Sequence, residues 1–166
     1  MTTGSNMIDV RKLRASDAVE TSLLFVDVIK KLKFYYTKKE IQENIDEYST
    51  KSLRILINKR KRIFRGAIFK GKLVGVVACE LPKNTDICWV TWLMVRKRYW
   101  RLKVGSALMK SIEKSGKGRW SAIQCNVRIK NRISNEFFRV LGYKKIATIR
   151  REPQIRNAYK WEKQLV

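Results

Sequence analysis

Residues 8–14, IDVRKLR, alternate apolar and polar side chains, the period-two pattern of a strand with one buried face. ASDAVETSLLFVDVIKKL (15–32) then switches to helical spacing. Thr37 and Glu40 have the S/T-x-x-E spacing of a capping box, and Ile41, Ile45 and Tyr48 fall on one stripe behind it, so a second helix starts there. Between Arg62 and Val95 three strands are expected: RIFRGAIFKG, then KLVGVVACEL after a turn at Lys70-Gly71, then ICWVTWLMV after the polar loop PKNTD. The third is apolar on both faces, which places it inside a sheet covered on both sides.

Val104, Leu108 and Ile112 recur at four-residue steps and predict an amphipathic helix from Gly105 to about Lys114, which SGKGR ends. WSAIQCNV reads as another strand. NRISNEFFRVLGY returns to helical spacing, with Ile133, Phe137, Val140 and Leu141 as the expected core stripe and Gly142 as the terminator. Two strand-like pieces, KKIATIRR and NAYKWEKQLV, flank Pro153 and close the chain. There is no internal repeat or low-complexity segment. The expected architecture is one α/β (α+β) domain over residues 8–166, behind a mobile polar tail at 1–7. Its mixed sheet has six to seven strands, flanked by about four helices.

A chain of 166 residues is long enough to hold such a core without staples. Lys and Arg number 38 against 14 Asp and Glu, a net charge of +24, so the chain attracts polyanions. Charge alone does not choose among nucleic acid, an acidic protein, anionic lipid, a phosphorylated cofactor and a merely solvated basic surface. Cys79, Cys88 and Cys125 sit inside apolar runs and read as small buried hydrophobes rather than a disulfide framework. With no histidine, Ser-His-Asp and Cys-His nucleophiles are excluded and a transition-metal site has few possible ligands. MTTGSNM lacks the charged and apolar regions of a signal peptide, and no apolar run reaches the ~18 residues of a membrane span, so a cytoplasmic location is expected.

VRKRYWRLKVGSALMK (95–110) carries Arg96, Lys97, Arg98, Arg101 and Lys103 ahead of Gly105 and a helix start. Backbone N–H groups at a helix start, with its partial positive charge, form an anion site, and the loop 100–106 is where that start falls. Gly105 permits a ligand to approach the backbone closely, or equally suits packing of the helix against a strand. Lys103 brings a long chain that can reach round to a pyrophosphate. In a different reading, Tyr99 and Trp100 among these basic residues stack on exposed nucleic-acid bases.

The order of elements resembles the fold of the Gcn5-related N-acetyltransferases. In that family the central strand runs into a loop Q/R-x-x-G-x-G/A that wraps the pyrophosphate of acetyl-CoA. Here the six positions are WRLKVG: Trp100 stands for Gln/Arg, Lys103 for the first Gly, and Gly105 keeps the second. WLMV ahead and GSALM behind also look like the family's flanks. The late helix is similar to N-x-x-A-x-x-x-Y-x-k-x-G-F, with Asn131, Ser134, Phe138, Gly142 and Tyr143 at the same spacing, and CNVRIKN resembles the E-V-R-x-x-N signature of the branch acting on N-terminal amines and ribosomal proteins.

The resemblance implies acetyl-CoA as co-substrate, held by Leu93, Met94, Val95, Trp100, Arg101, Leu102, Lys103, Val104, Gly105, Ser106, Asn131, Ser134 and Phe138. The stripe Asn131, Ser134 and Phe138 is expected to face it, apart from the core stripe. It also implies acetyl transfer to a primary amine by direct attack, with strand N–H groups around Leu93 to Val95 polarising the acetyl carbonyl, and an acceptor groove formed by the first two helices and the closing strands. Trp89 and Asn126 stand where family members place a carboxylate base, and Phe138 where they place a tyrosine acid. The remaining carboxylates near that region are Glu80 and Asp86, as catalytic bases or as solvated loop-edge charges. Lacking a base favours a small amine or a protein N-terminus over lysine. The alternative is an inactive module of this fold that binds nucleic acid or CoA through its basic surface.

Overall fold

The computed structural model describes residues 7–59 and 61–165, so the tail expected at 1–7 falls, except for Met7, outside the described residues. The chain forms β1 (Asp9–Lys12), α1 (Ala18–Ile29), α2 (Lys38–Glu47), α3 (Thr50–Leu56), β2 (Arg62–Phe69), β3 (Lys72–Glu80), β4 (Ile87–Val95), α4 (Val104–Gly116), β5 (Ala122–Arg128), α5 (Arg132–Val140), β6 (Lys144–Ile149) and β7 (Ala158–Gln164). The strands build one seven-stranded sheet in the order β1-β2-β3-β4-β5-β7-β6. All neighbours are antiparallel except β4 and β5, which are parallel. The doubly apolar β4 is the middle strand, as its pattern demands.

Each face of the sheet carries its own core. Val77, Cys79, Cys88, Val90, Ile123 and Cys125 meet Val104, Leu108 and Ile112 of α4 and Phe138 of α5. On the other face Phe64, Val76, Ala78 and Met94 meet Leu24, Phe25 and Ile29 of α1 and Leu53 of α3. The three cysteines are free and buried in the first core. The neighbouring Cys88 and burial push the Cys79 thiol up, and burial pushes Cys125 up, so both stay protonated.

Three expectations need correction. The first helix is α1 over 18–29, extended by short 3-10 turns at Ala15–Asp17 and Lys30–Leu32. A further helix, α3, follows α2, and Ser49 caps it by accepting from the Ser52 N–H (3.4 Å). On α5 the core face is rotated: Phe138 is 5% exposed, whereas Ile133 is 60% and Val140 69% exposed. Phe138 therefore belongs to the core rather than to a separate stripe with Asn131 and Ser134. The rotation is fixed by Asn135, whose Nδ2 donates to the Arg128 carbonyl (3.0 Å) while its Oδ1 accepts from Trp161 Nε1 (2.9 Å). A hydrophobic pattern does not register such a polar anchor.

Candidate active site

β4 and β5 pair only from Ile87–Ala122 to Val90–Cys125. Beyond that, β4 runs on to Val95 and β5 to Arg128 without each other. The separation begins at a bulge. Cys79 pairs with Val90 and Ala78 with Trp92, leaving Thr91 as the extra residue, its Oγ1 donating to the Ala78 carbonyl (3.0 Å). Residues 91–95 of β4 and 126–128 of β5 thus present main-chain groups to a wedge inside the sheet, and such groups need partners.

The wedge leads to the start of α4. Arg96 is anchored by its N–H to the Val74 carbonyl (3.1 Å) and by its side chain to Asp27 (3.2 Å). A 3-10 turn at Lys97–Leu102 follows, and Trp100 Nε1 donates back to the Val95 carbonyl (2.9 Å). Lys103 then adopts the left-handed conformation, φ 57° and ψ 27°, at the position where the resembled loop has glycine. Ala107 is the first residue of α4 to close on the Lys103 carbonyl (3.0 Å), so the first-turn N–H groups of Val104, Gly105 and Ser106 find no acceptor within the helix. Arg98, Arg101 and Lys103 shortly precede or adjoin them in the chain and are exposed. The sequence motif thus folds into a helix start with open first-turn N–H groups at the mouth of the wedge.

Gly105 has a packing reason as well. A Cβ there would stand 3.1 Å from Phe137 Cζ of α5. Of the two proposed stacking residues, Tyr99 is half-buried with its ring 6.0 Å from that of Phe69 and with Arg98 4.9 Å from its centroid. Trp100 is 45% exposed. The side chains of Met94, Val104 and Phe138 lie in the cores, which leaves the first two only their main chain to offer a ligand.

On the face of the sheet opposite α4, the gap between the strands is bridged by side chains. The Trp92 and Tyr36 rings are 5.5 Å apart, and the Arg128 guanidinium lies 4.7 Å from the Tyr36 centroid. Arg128 also donates to Glu40 Oε1 (2.7 Å) and to the Arg156 carbonyl (2.6 Å). Burial pushes the Tyr36 phenol up in spite of the nearby Arg128. Burial raises the Glu40 carboxyl, but hydrogen bonds from Thr37 and the charge of Arg128 outweigh it and hold the group below its ordinary value. Beside this bridge is a cleft of about 140 Å³ lined by Tyr36, Asn126, Arg128, Arg151 and Arg156, with Ile149 and Ala158 as its apolar part. Lys160, register partner of Asn126, places its ammonium 5.4 Å from the Trp89 ring centroid.

The two carboxylates expected as bases are set apart from this bridge. Glu80 ends β3 opposite Trp89, and Arg62 holds it in an ion pair while also reaching Glu47 (3.5 Å). Asp86 precedes β4, five residues before the bulge, or about 16 Å of strand at ~3.3 Å per residue. The sequence does not single out Tyr36, Trp92, Arg151, Arg156 or Lys160, because they come from four segments that only the fold brings together: the turn before α2, β4, the β6–β7 connection and β7. Arg128 is visible there as part of CNVRIKN, and Glu40 only as a cap. Among the described residues no group of His, Cys, Asp and Glu could hold a metal ion, and no helix is long and apolar enough to cross a membrane.

No curated protein matches the sequence. Among solved structures, the PaiA N-acetyltransferase of Thermoplasma acidophilum in complex with coenzyme A superposes with a TM-score of 0.81 at 20% identity, covering 95% of this chain and 99% of that one. The ribosomal-protein-S18-alanine N-acetyltransferase of Escherichia coli gives 0.71 at 14% identity, covering 96% and 94%. An aminoglycoside 6'-acetyltransferase type Ii gives 0.71 at 16%, covering 95% and 97%. These likenesses establish the fold. The acetyltransferase (GNAT) family profile matches residues 26–143, well over half the chain, and with the split sheet it leads to one conclusion: the protein belongs to the acetyltransferase (GNAT) family.

Proposed function

We propose that this protein is an acetyl-CoA-dependent N-acetyltransferase that works by direct attack of a primary amine. The observation that carries this reading is the wedge between β4 and β5, where residues 91–95 have β3 on one side and no strand partner on the β5 side, with the first-turn N–H groups of α4 at its mouth. That arrangement fits a long ligand with a pyrophosphate at one end: residues 104–106 and the cations Arg98, Arg101 and Lys103 would hold the phosphates, and the β4 backbone would hold the chain. Acetyl-CoA supplies the acetyl group in activated form as a thioester. The β4 N–H groups near Leu93 to Val95 are placed to polarise a carbonyl within the wedge, a form of preorganised electrostatic stabilisation.

No dedicated carboxylate base is assigned. Trp89 and Asn126 flank the wedge and neither takes a proton, Glu80 is engaged by Arg62, and Asp86 lies at the far end of β4. An acceptor must then arrive partly unprotonated. A lysine amine of pKa ~10.4 carries a penalty of about 4.6 kcal/mol at pH 7, whereas an α-amine near ~7.8 carries only about 1 kcal/mol. A small amine or a protein N-terminus is therefore preferred to lysine. The departing thiolate, from a thiol of pKa ~8.5, needs no acid at Phe138.

The test is calorimetric titration with acetyl-CoA together with thiol release on adding amines. Gly105→Glu, which sets a carboxylate among the phosphates and a side chain against Phe137, is expected to abolish binding. Undiminished affinity in that variant places the site elsewhere. The competing reading, a nucleic-acid module, draws on the net charge but is weakened by the packing of Tyr99 against Phe69.

A further inference from the structure

We infer that the cleft beside Arg128 is an anion pocket for the acceptor, so that the amine acetylated here is a small molecule that also carries a carboxylate or a phosphate. The inference rests on the enzymatic reading for its word acceptor, but the pocket itself rests on the geometry below.

Position comes first. Asn126 is the first residue of β5 beyond its last pairing with β4, and both it and Arg128 line the cleft. The core-facing residues of β5, Ile123, Cys125 and Val127, point to the α4 and α5 layer, so Asn126 and Arg128 point to the other face. With α4 and α5 closing one side of the wedge, a second reactant enters across the cleft.

Charge decides what enters. Three guanidinium groups, Arg128, Arg151 and Arg156, line the cleft. One carboxylate, Glu40, serves two of them: its Oε1 lies 2.7 Å from Arg128 Nη2 and 3.2 Å from Arg156 Nε. Of the other acids near this face, Glu162 accepts from Gln124 and Gln164, Glu80 is held by Arg62, and Glu152 is exposed and, among the described residues, in no ion pair with these arginines, while Lys160 adds a further cation nearby. The pocket keeps an excess of positive charge, which repels a polycationic amine and attracts an anionic one.

Unused donors point the same way. Arg156 Nε is enclosed beside Glu40 (3.2 Å) and committed to that ion pair, which leaves Arg151 as the open cation. Among the described residues no carboxylate pairs with Arg151. Its backbone N–H donates to Asn157 Oδ1 (2.7 Å), which fixes its place at the rim while leaving the guanidinium uncommitted. A guanidinium fork matches the two oxygens of a carboxylate or phosphate. The volume of about 140 Å³, against ~30 Å³ per water in the liquid, suits a head group of a few heavy atoms.

The experiment uses the full chain and matched small amines: γ-aminobutyrate with a carboxylate, 2-aminoethyl phosphate with a phosphate, γ-aminobutyramide and ethanolamine as their neutral counterparts, and spermidine as a polycation. Binding is read by NMR titration without acetyl-CoA, and turnover by thiol release with it. At least one anionic amine is expected to bind and, with kcat/KM expressed per unprotonated amine, to exceed its neutral counterpart by about tenfold or more. Arg151→Ala should bring that ratio close to one, whereas Lys51→Ala, an exposed charge removed from α3, should leave it intact. Which anionic amine wins separates carboxylate from phosphate. Equal use of the neutral amines, preference for spermidine, or anion binding indifferent to Arg151 overturns the proposal. Arg151-dependent anion binding in a protein that neither binds acetyl-CoA nor acetylates any amine keeps the pocket and removes the enzymatic reading.

Discussion

Arg128, the last residue of β5, donates through Nη2 to Glu40 Oε1 over 2.7 Å, tying the sheet to the first turn of α2 across 88 positions of sequence. The second oxygen of the same carboxylate accepts from the Thr37 backbone N–H (2.9 Å). The cap of α2 and the carboxylate that holds two of the cleft's arginines are thus one group.

Acid should loosen this joint. The folded protein holds the Glu40 carboxyl below its ordinary value, so its contribution is fully present above the unfolded value of ~4.3 and is lost as pH falls through the depressed folded one. Glu40→Gln is expected to lower stability at pH 7 by about 1–2 kcal/mol, with a smaller deficit at pH 3. Thermal melts of both proteins between pH 3 and 7 check this. A deficit that does not shrink in acid would mean that the ionised form of Glu40 is not what stabilises.

Lys103 holds φ 57° without being glycine. The left-handed region costs an L side chain about 1–2 kcal/mol, partly offset by the extra unfolded-state freedom of glycine. Lys103→Gly should therefore gain about 0.5–1 kcal/mol, and Lys103→Val should lose at least 1 kcal/mol. For a domain of this size each kcal/mol moves Tm by about 2–4 °C. Because Lys103 also belongs to the proposed phosphate site, Lys103→Gly should weaken acetyl-CoA binding while stabilising the empty protein.

Gly105→Ala is expected to lose about 1 kcal/mol, since its Cβ meets Phe137 Cζ at 3.1 Å and Cε2 at 3.2 Å. Phe137→Leu in the same chain should remove most of that additional loss. Denaturant melts of the four proteins in the cycle give the coupling, and additive effects would place the origin of the loss outside this contact.

Without a dedicated base, kcat/KM should rise tenfold per pH unit up to the pKa of the acceptor amine itself. Glu80→Gln and Asp86→Asn should follow the same profile. A plateau well below the amine's own pKa that disappears in one of these variants identifies a base. Phe138→Tyr is expected to give no gain in rate and to lose about 1 kcal/mol, because it sets a hydroxyl among Phe137, Tyr143 and the buried cysteines.

The central position of β4 follows from its unbroken apolar run. The loop before Gly105 was equally legible, since its cations and glycine are contiguous. α3 was hidden because its seven residues carry one fully buried side chain, Leu53, too little for a period to emerge. The rotation of α5 was hidden because Phe137 and Leu141 belong to both candidate stripes, and only Asn135, bonded to Trp161, selects between them. The acceptor side was unreadable for a deeper reason. Tyr36, Glu40, Arg128 and Arg156 are ordinary in their own segments and acquire a role only through contacts between segments far apart in the chain, Arg128 with Glu40 and Tyr36, and Arg156 with Glu40.

Among the described residues, four parallel rungs, Ile87 to Val90 against Ala122 to Cys125, with the Ser121 N–H on the Asp86 carbonyl (2.9 Å) beside them, join two panels of sheet, β1–β4 and β5–β7. A ligand laid along the open stretch beyond them, as the proposed site requires, would add rungs on both its edges as an eighth, borrowed strand. It would then be a splint as well as a reactant: the panels are expected to stiffen against each other when it binds, and those amides of residues 91–95 that face the wedge to exchange more slowly in the loaded protein.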